Sequence, residues 1–324
     1  MAGHLEDGEW VVEDGFAGED GAYDRPPSAF RDWVTADGSP GPDGQDGVKA
    51  EPGRFRLYVC YACPWAHRTL ILRHLKGLQD AIELSTVHWL MRDRGWTFEA
   101  APGVVPDPMG HDTLYQIYQK SKPDVNGKAT VPVLWDKKDE RIVNNESADI
   151  IRMLTRAWDA YTDSDLDTYP AALRSEIDEV NDRVYEHVNN GVYKAGFATD
   201  QDVHAREVRA LFDTLDWLED RLEGRDHLVG DRLTEADIRL LTTLLRFDAV
   251  YGTHFKCNVR RIRDYPNLSR FTRAMAERDA VRETTHIDYI KRHYYESHLN
   301  LNPHALVPIG PEIDFAHAAP FGID

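Results

Sequence analysis

Phe55-Arg56-Leu57-Tyr58-Val59-Cys60-Tyr61-Ala62-Cys63-Pro64-Trp65-Ala66-His67-Arg68 changes periodicity in its middle. The first five residues alternate as a β-strand does, whereas Pro64 is a helix-start residue and Trp65, Leu70, Leu72 and Leu75 carry a helix on toward Lys76-Gly77. The reading is strand, cysteine turn, helix. A cysteine at a helix start faces unpaired backbone N–H groups and the positive end of the helix dipole, and both favour thiolate over thiol. Cys63 is therefore the candidate nucleophile, with His67 and Arg68 one turn on expected to add positive potential. The third cysteine, Cys257 in Phe255-Lys256-Cys257-Asn258, reads as inert packing.

Working outward, Ile82 to Val87 reads as a second strand, parallel to the first through a right-handed crossover. The segment from Met91 to about Lys122 reads as a long irregular insertion. Thr130 to Asp136 and Arg141 to Val143 form an expected antiparallel hairpin around the charged turn at Lys137 to Glu140, and Asn145-Glu146-Ser147 opens a capped helix. The order βαβ then ββα is that of a thioredoxin-like domain, placed at residues 54–160. Residues 1–53 are rich in Gly, Asp and Pro and read as an extended arm, with Trp10, Phe16, Tyr23, Phe30 and Trp33 laid on the body. After Tyr169 the pattern is helical: Leu173, Ile177, Val180, Val184 and Val188 recur at helical spacing, as do Val208, Leu211, Leu215, Leu218 and Leu222. Residues 165–324 are thus expected to be an all-helical domain whose tail, from Asn302, is extended and proline-rich. The fold class is α/β plus all-α.

Composition narrows the function. The 324 residues carry a formal charge of −18, a field that repels phosphate backbones and anionic lipid, so neither nucleic acid nor membrane is an expected partner. No apolar run approaches the roughly eighteen residues of a membrane span. The first residues are acidic (Glu6, Asp7, Glu9) and unlike an export signal, so a cytoplasmic protein is expected. Three cysteines are too few for a disulfide scaffold. Basic residues comprise 10 Lys against 28 Arg, and an acidic, Lys-poor surface is expected of a protein kept soluble in concentrated salt. A halophilic host follows as an expectation.

Four motifs carry or border chemistry. Cys60-Tyr61-Ala62-Cys63 has the C-x-x-C spacing of redox dithiols and of half a zinc site, but no second C-x-x-C or close His pair is present, so no metal is expected. Proline and helix follow the second cysteine, which favours Cys63 as attacker. Cys60 is left as a resolving thiol or a packing residue. Val131-Pro132, at the head of a strand, is where a thioredoxin-like fold sets a cis-proline that leaves the preceding backbone free to pair with a peptide-like thiol; the alternative is an edge-strand proline. Glu146-Ser147, at a helix start, can hold a ligand's carboxylate or amine, or be a simple cap. Thr234-Glu235-Ala236-Asp237 reads as a capping segment with a structural role.

Tyr58 to Gly77, Thr130 to Asp136 and Glu146-Ser147 together resemble the glutathione transferase superfamily, and Cys63-Pro64-Trp65-Ala66-His67-Arg68 resembles its Xi class, the glutathionyl-hydroquinone reductases. The likeness continues through Asn189 to Phe197, Leu233 to Asp237, Arg246-Phe247-Asp248 and His254 to Asn258. It implies a reductive deglutathionylation. Cys63 attacks the sulfur of an S-glutathionyl-hydroquinone, and a second thiol, glutathione or γ-glutamylcysteine in a halophilic archaeon, then frees Cys63 as a disulfide product. The resemblance further implies that Trp96, Val131, Glu146 and Ser147 bind the glutathione moiety and that Tyr185, Tyr193 and Tyr295 line the aromatic pocket, Tyr193 and Tyr295 acting in catalysis. It implies a homodimer acting on a small-molecule thiol and an aromatic thioether. A general dithiol–disulfide oxidoreductase using Cys60 and Cys63, and a non-enzymatic binding module on the same fold, are the alternatives.

Overall fold

The computed structural model describes residues 2–13, 18, 21–23, 25–313 and 321. Phe16 and most of the tail beyond residue 313 lie outside them. The arm is more structured than a linker. Ala2–Glu6 (β1) and Glu9–Glu13 (β2) pair as an antiparallel hairpin. Its turn residues Asp7 and Gly8 both have positive φ, 46° and 82°, the backbone that an Asp-Gly hairpin turn requires. Trp33–Thr35 (β3) and Gly47–Lys49 (β4) form a short parallel pair, with Val34 and Val48 buried beneath.

The central sheet is built from Phe55–Val59 (β5), Ile82–Thr86 (β6), Val133–Asp136 (β7) and Arg141–Asn144 (β8), in the order β6-β5-β7-β8. β5 runs parallel to β6 and antiparallel to β7, so Leu57 faces Leu84 on one side and Leu134 on the other. The helix Pro64–Leu75 (α1) makes the β5-to-β6 crossover, and Ser147–Arg156 (α3) packs beside it. Between them Leu114–Ser121 (α2) occupies part of the stretch read as irregular. Its start is fixed by a capping box in which the Thr113 N–H donates to the Gln116 side chain at 3.0 Å.

The second half is helical: Arg174–Val184 (α4), Gly191–Gly196 (α5), Gln201–Arg221 (α6), Glu235–Arg246 (α7), Pro266–Ala276 (α8), Asp279–Arg282 (α9) and Ile287–Ser297 (α10). Every residue of α7 is buried, which makes it the axis of this half. Asp237 closes its first turn, accepting from the N–H groups of Thr234 and Leu228 at 2.8 Å each. Two π-helical turns, Tyr185–Asn189 and Phe247–Tyr251, widen the ends of α4 and α7. Such turns re-aim side chains at functional sites. α1 packs against α7 and α9, so the cysteine turn lies where the two halves meet.

Candidate active site

Cys63 is the N-cap of α1, with extended backbone, and Pro64 follows in the first helical position. Its thiol lies 3.5 Å from the Val131 carbonyl oxygen, to which it donates. The Val131-Pro132 bond is cis. Burial pushes the Cys63 thiol up, against the Ala66 N–H, the charge of Arg246, the Trp65 N–H and the charge of Arg25. A helix start alone therefore does not give this thiol a low pKa. His67 does not supply the expected charge either. Its Nδ1 faces Arg246 at 3.1 Å and its Nε2 faces Thr284 at 3.0 Å, while burial and the Arg246 charge hold its pKa well below the ordinary value, so it is neutral. Arg68 turns away from Cys63 and donates to Ser147 and Asn189. The cations that act on Cys63 are Arg246 and Arg25.

Cys63 opens into a cavity of about 400 Å³ that also takes in Trp96, Val131, Glu146, Tyr185 and Tyr193. Trp96 stacks on His293, with ring centroids 4.9 Å apart. Glu146 caps α3 by accepting from the Ala148 N–H at 3.1 Å, and its other oxygen accepts from Ser28 at 3.0 Å. Pro132 and Ser147 are buried behind this lining. Tyr295 belongs elsewhere: its hydroxyl donates to the Ala249 carbonyl at 3.3 Å, and its ring packs on His254. The tyrosine of α10 that lines the cavity is Tyr294, bonded to Tyr193 at 2.6 Å and to Tyr251 at 2.9 Å.

Residues 62–157 match the glutathione S-transferase N-terminal domain, and residues 201–274 match the C-terminal domain. The chain is 54% identical over 266 residues to glutathionyl-hydroquinone reductase PcpF of Sphingobium chlorophenolicum, covering 82% of this chain and 85% of that one. It is 50% identical over 301 residues to glutathionyl-hydroquinone reductase YqjG of Escherichia coli K12, covering 92% of each. The Xi glutathione-S-transferase structure from Phanerochaete chrysosporium superposes with a TM-score of 0.88 at 47% identity, over 94% of this chain and 97% of that one. The chain belongs to the Xi class of the glutathione S-transferase family. The Xi-class structure from Natrialba magadii gives 0.87 at 42% identity, over 97% and 95% of the two chains.

In this Xi-class transferase the arm completes the cavity, which sequence reading missed. Arg25 lies with its guanidinium carbon 4.4 Å from the Trp65 ring centre and 5.6 Å from that of Tyr193, and it donates to Asn190 at 3.3 Å. Phe30 and Asn145 exchange hydrogen bonds of 3.0 and 3.1 Å, and Arg31 grips Asp149 with two donors at 2.6 and 3.0 Å. These contacts set Arg25 and Ser28 at the cavity wall. Among the described residues no group of three His, Cys, Asp or Glu side chains is placed to hold a metal ion.

Proposed function

We propose that this transferase reduces S-glutathionyl-hydroquinones with a thiol co-substrate, glutathione or γ-glutamylcysteine, through a mixed disulfide on Cys63. The observation that carries the reading is the Cys63 thiol at a helix start in a cavity whose lining also holds the hydrogen-bonded phenols Tyr193 and Tyr294. The relatives named for this reaction, PcpF and YqjG, support it, as does a glutathione-bound structure of YqjG that superposes with a TM-score of 0.89.

The Cys63 thiolate attacks the glutathionyl sulfur, forming an S–S bond as the aryl C–S bond breaks. The electron pair of that bond stays on the ring carbon, which takes a proton from the phenol pair and leaves as hydroquinone. A second thiolate then attacks the mixed disulfide, releasing Cys63 and carrying off the oxidised pair. Val131, with its backbone beside the cis bond, pairs with the peptide-like part of the thiol, Trp96 flanks it, and Glu146 receives its γ-glutamyl end, backed by Ser147, whose hydroxyl donates to Glu146 at 3.4 Å. Tyr185 walls the aromatic side.

The working division is an arm at 1–53, a thiol-binding unit at 54–160 and a helical unit at 165–324. The charge of −18 and the Arg-for-Lys bias support a halophilic host, and a cytoplasmic homodimer completes the proposal. Stability measured against KCl tests the host assignment, which full stability in dilute buffer would overturn. Mass spectrometry of Cys63 after incubation with glutathionyl-hydroquinone, glutathione disulfide and bis-γ-glutamylcystine tests the chemistry. Oxidation of Cys63, as a thiol adduct or as a disulfide formed from one, with release of hydroquinone is expected; a Cys63 that stays a free thiol with all three removes the reading.

A further inference from the structure

Two free thiols stand in one turn. The Cys63 N–H donates to the Cys60 carbonyl at 3.1 Å, so residues 60–63 form a hydrogen-bonded β-turn. Such a turn holds its end Cα atoms within about 7 Å, and a disulfide spans Cα atoms about 4.4–6.8 Å apart. The two middle residues are held in place by one side chain from the helical half. Arg246 donates from Nε to the Ala62 carbonyl at 2.9 Å and from Nη2 to the Tyr61 carbonyl at 3.1 Å. A third donor goes to the Thr242 carbonyl at 2.8 Å.

Arg246 is fully buried, and among the described residues it has no carboxylate partner. A buried cation needs an anion or a full set of acceptors. The groups near it that can become anions are the two thiols and the phenols of Tyr251 and Tyr294; burial pushes both thiols up, Cys60 far up, and the Arg246 charge acts against that push on each. Exposure assigns the order of events: Cys60 is fully buried, while Cys63 lines the cavity, so an incoming glutathionyl group reaches Cys63 alone.

We propose that Cys60 is a resolving thiol, which attacks the Cys63 sulfur of the mixed disulfide, closes a Cys60–Cys63 disulfide and expels glutathione. This rests on the mixed disulfide proposed above. The S–S bond between Cys63 and glutathione breaks as that between Cys60 and Cys63 forms, and the Cys60 proton ends on the departing glutathione thiolate. Over the two steps the cysteine pair loses two electrons, which reduce the aryl carbon of the glutathionyl-hydroquinone, and the glutathionyl sulfur leaves as a thiol. Two equivalents of a low-molecular-weight thiol, or one dithiol, then reduce the pair and leave as disulfide. The enzyme thereby also becomes a dithiol–disulfide oxidoreductase, able to draw electrons from a dithiol that does not fit the thiol subsite.

Trypsin cleaving after Arg56 and Arg68 releases both cysteines in one peptide, Leu57 to Arg68. The full-length protein is treated with one equivalent of glutathione disulfide without air, then alkylated under denaturing, non-reducing conditions. In the parent protein the peptide is expected to be two hydrogens lighter, unalkylated and free of glutathione. In Cys60→Ser and Cys60→Ala it is expected to keep glutathione on Cys63. A parent protein that keeps the glutathione adduct with Cys60 alkylated overturns the proposal, as does one in which both cysteines are alkylated. A parallel incubation with glutathionyl-hydroquinone separates the two readings. Hydroquinone release without an internal disulfide sinks only the Cys60 proposal, whereas an internal disulfide from glutathione disulfide with no hydroquinone release sinks only the substrate assignment.

Discussion

The hydroxyls of Tyr193 and Tyr294 meet at 2.6 Å although the residues stand 101 positions apart in the chain. Tyr251 extends the contact, with its hydroxyl 2.9 Å from that of Tyr294. Burial holds the pKa of both Tyr193 and Tyr294 well above the ordinary tyrosine value, so both stay protonated and can donate. Tyr294→Phe is expected to lower kcat for hydroquinone release by about 10²-fold, the usual worth of a positioned proton donor, with little change in KM. Tyr295→Phe should leave kcat unchanged. Equal losses in the two variants in steady-state assays would count against the assignment.

Arg25 is expected to contribute to the pH dependence. Its charge favours the Cys63 thiolate, so the reactive fraction rises with pH through a thiol pKa that Arg25 holds down against the upward push of burial. Arg25→Gln should therefore move the rising limb of Cys63 alkylation to higher pH. The rate is lost at neutral pH and recovered in alkali. Iodoacetamide alkylation followed over pH checks this, and a limb that stays in place contradicts it.

A buried ion pair at the ends of the two inner strands, β5 and β7, contributes to acid stability. Asp136 is fully buried and takes two donors from Arg54, at 2.9 and 2.5 Å. Burial alone pushes its carboxyl up, but Arg54 and the Lys138 and Asp139 N–H groups outweigh that and hold it below the ordinary value. A folded pKa below the unfolded one gives stability that is present above about pH 4 and is lost as pH falls through the folded value. Asp136→Asn should cost about 3 kcal/mol at neutral pH, as breaking a buried pair does. Urea unfolding at pH 7 and pH 3 should show that difference shrink at the lower pH.

Gly196 is a packing requirement. A Cβ there would stand 2.2 Å from Cγ of Phe255, whose ring lies 5.5 Å from that of Tyr193. Gly196→Ala should therefore destabilise by about 1–3 kcal/mol through overpacking. Because Phe255 must move, KM for the aromatic substrate should rise as well. An unchanged melting temperature would mean that the ring relaxes freely.

Sequence resolves this molecule where its signals are local. β5, the cysteine turn and α1 follow from one alternation, one proline and one amphipathic run, and the cap at Thr234 follows from a spacing of three. α2 was hidden because its eight residues are bracketed by turn-rich text, although Thr113-x-x-Gln116 was there to be read. Tyr294 and Tyr295 differ by one position, which on a helix is a rotation of about 100°. Nothing local says which of the two faces the cavity. Arg25 and Ser28 had no signal at all, because their partners Asn190 and Glu146 lie 165 and 118 positions away.

Those two separations bear on how the site comes into being. Arg25 and Ser28 emerge early in synthesis, yet Ser28 has no hydrogen-bond partner until Asn145 and Glu146 are in place, and Arg25, although it can reach Trp65 early, gains its hydrogen bond only when the turn at Asn190 has formed. Loop closure over such distances is slow compared with forming α1 around Cys63. The helix that carries the nucleophile is thus a local product of the chain, whereas the charge pattern of its pocket depends on closures over more than a hundred residues.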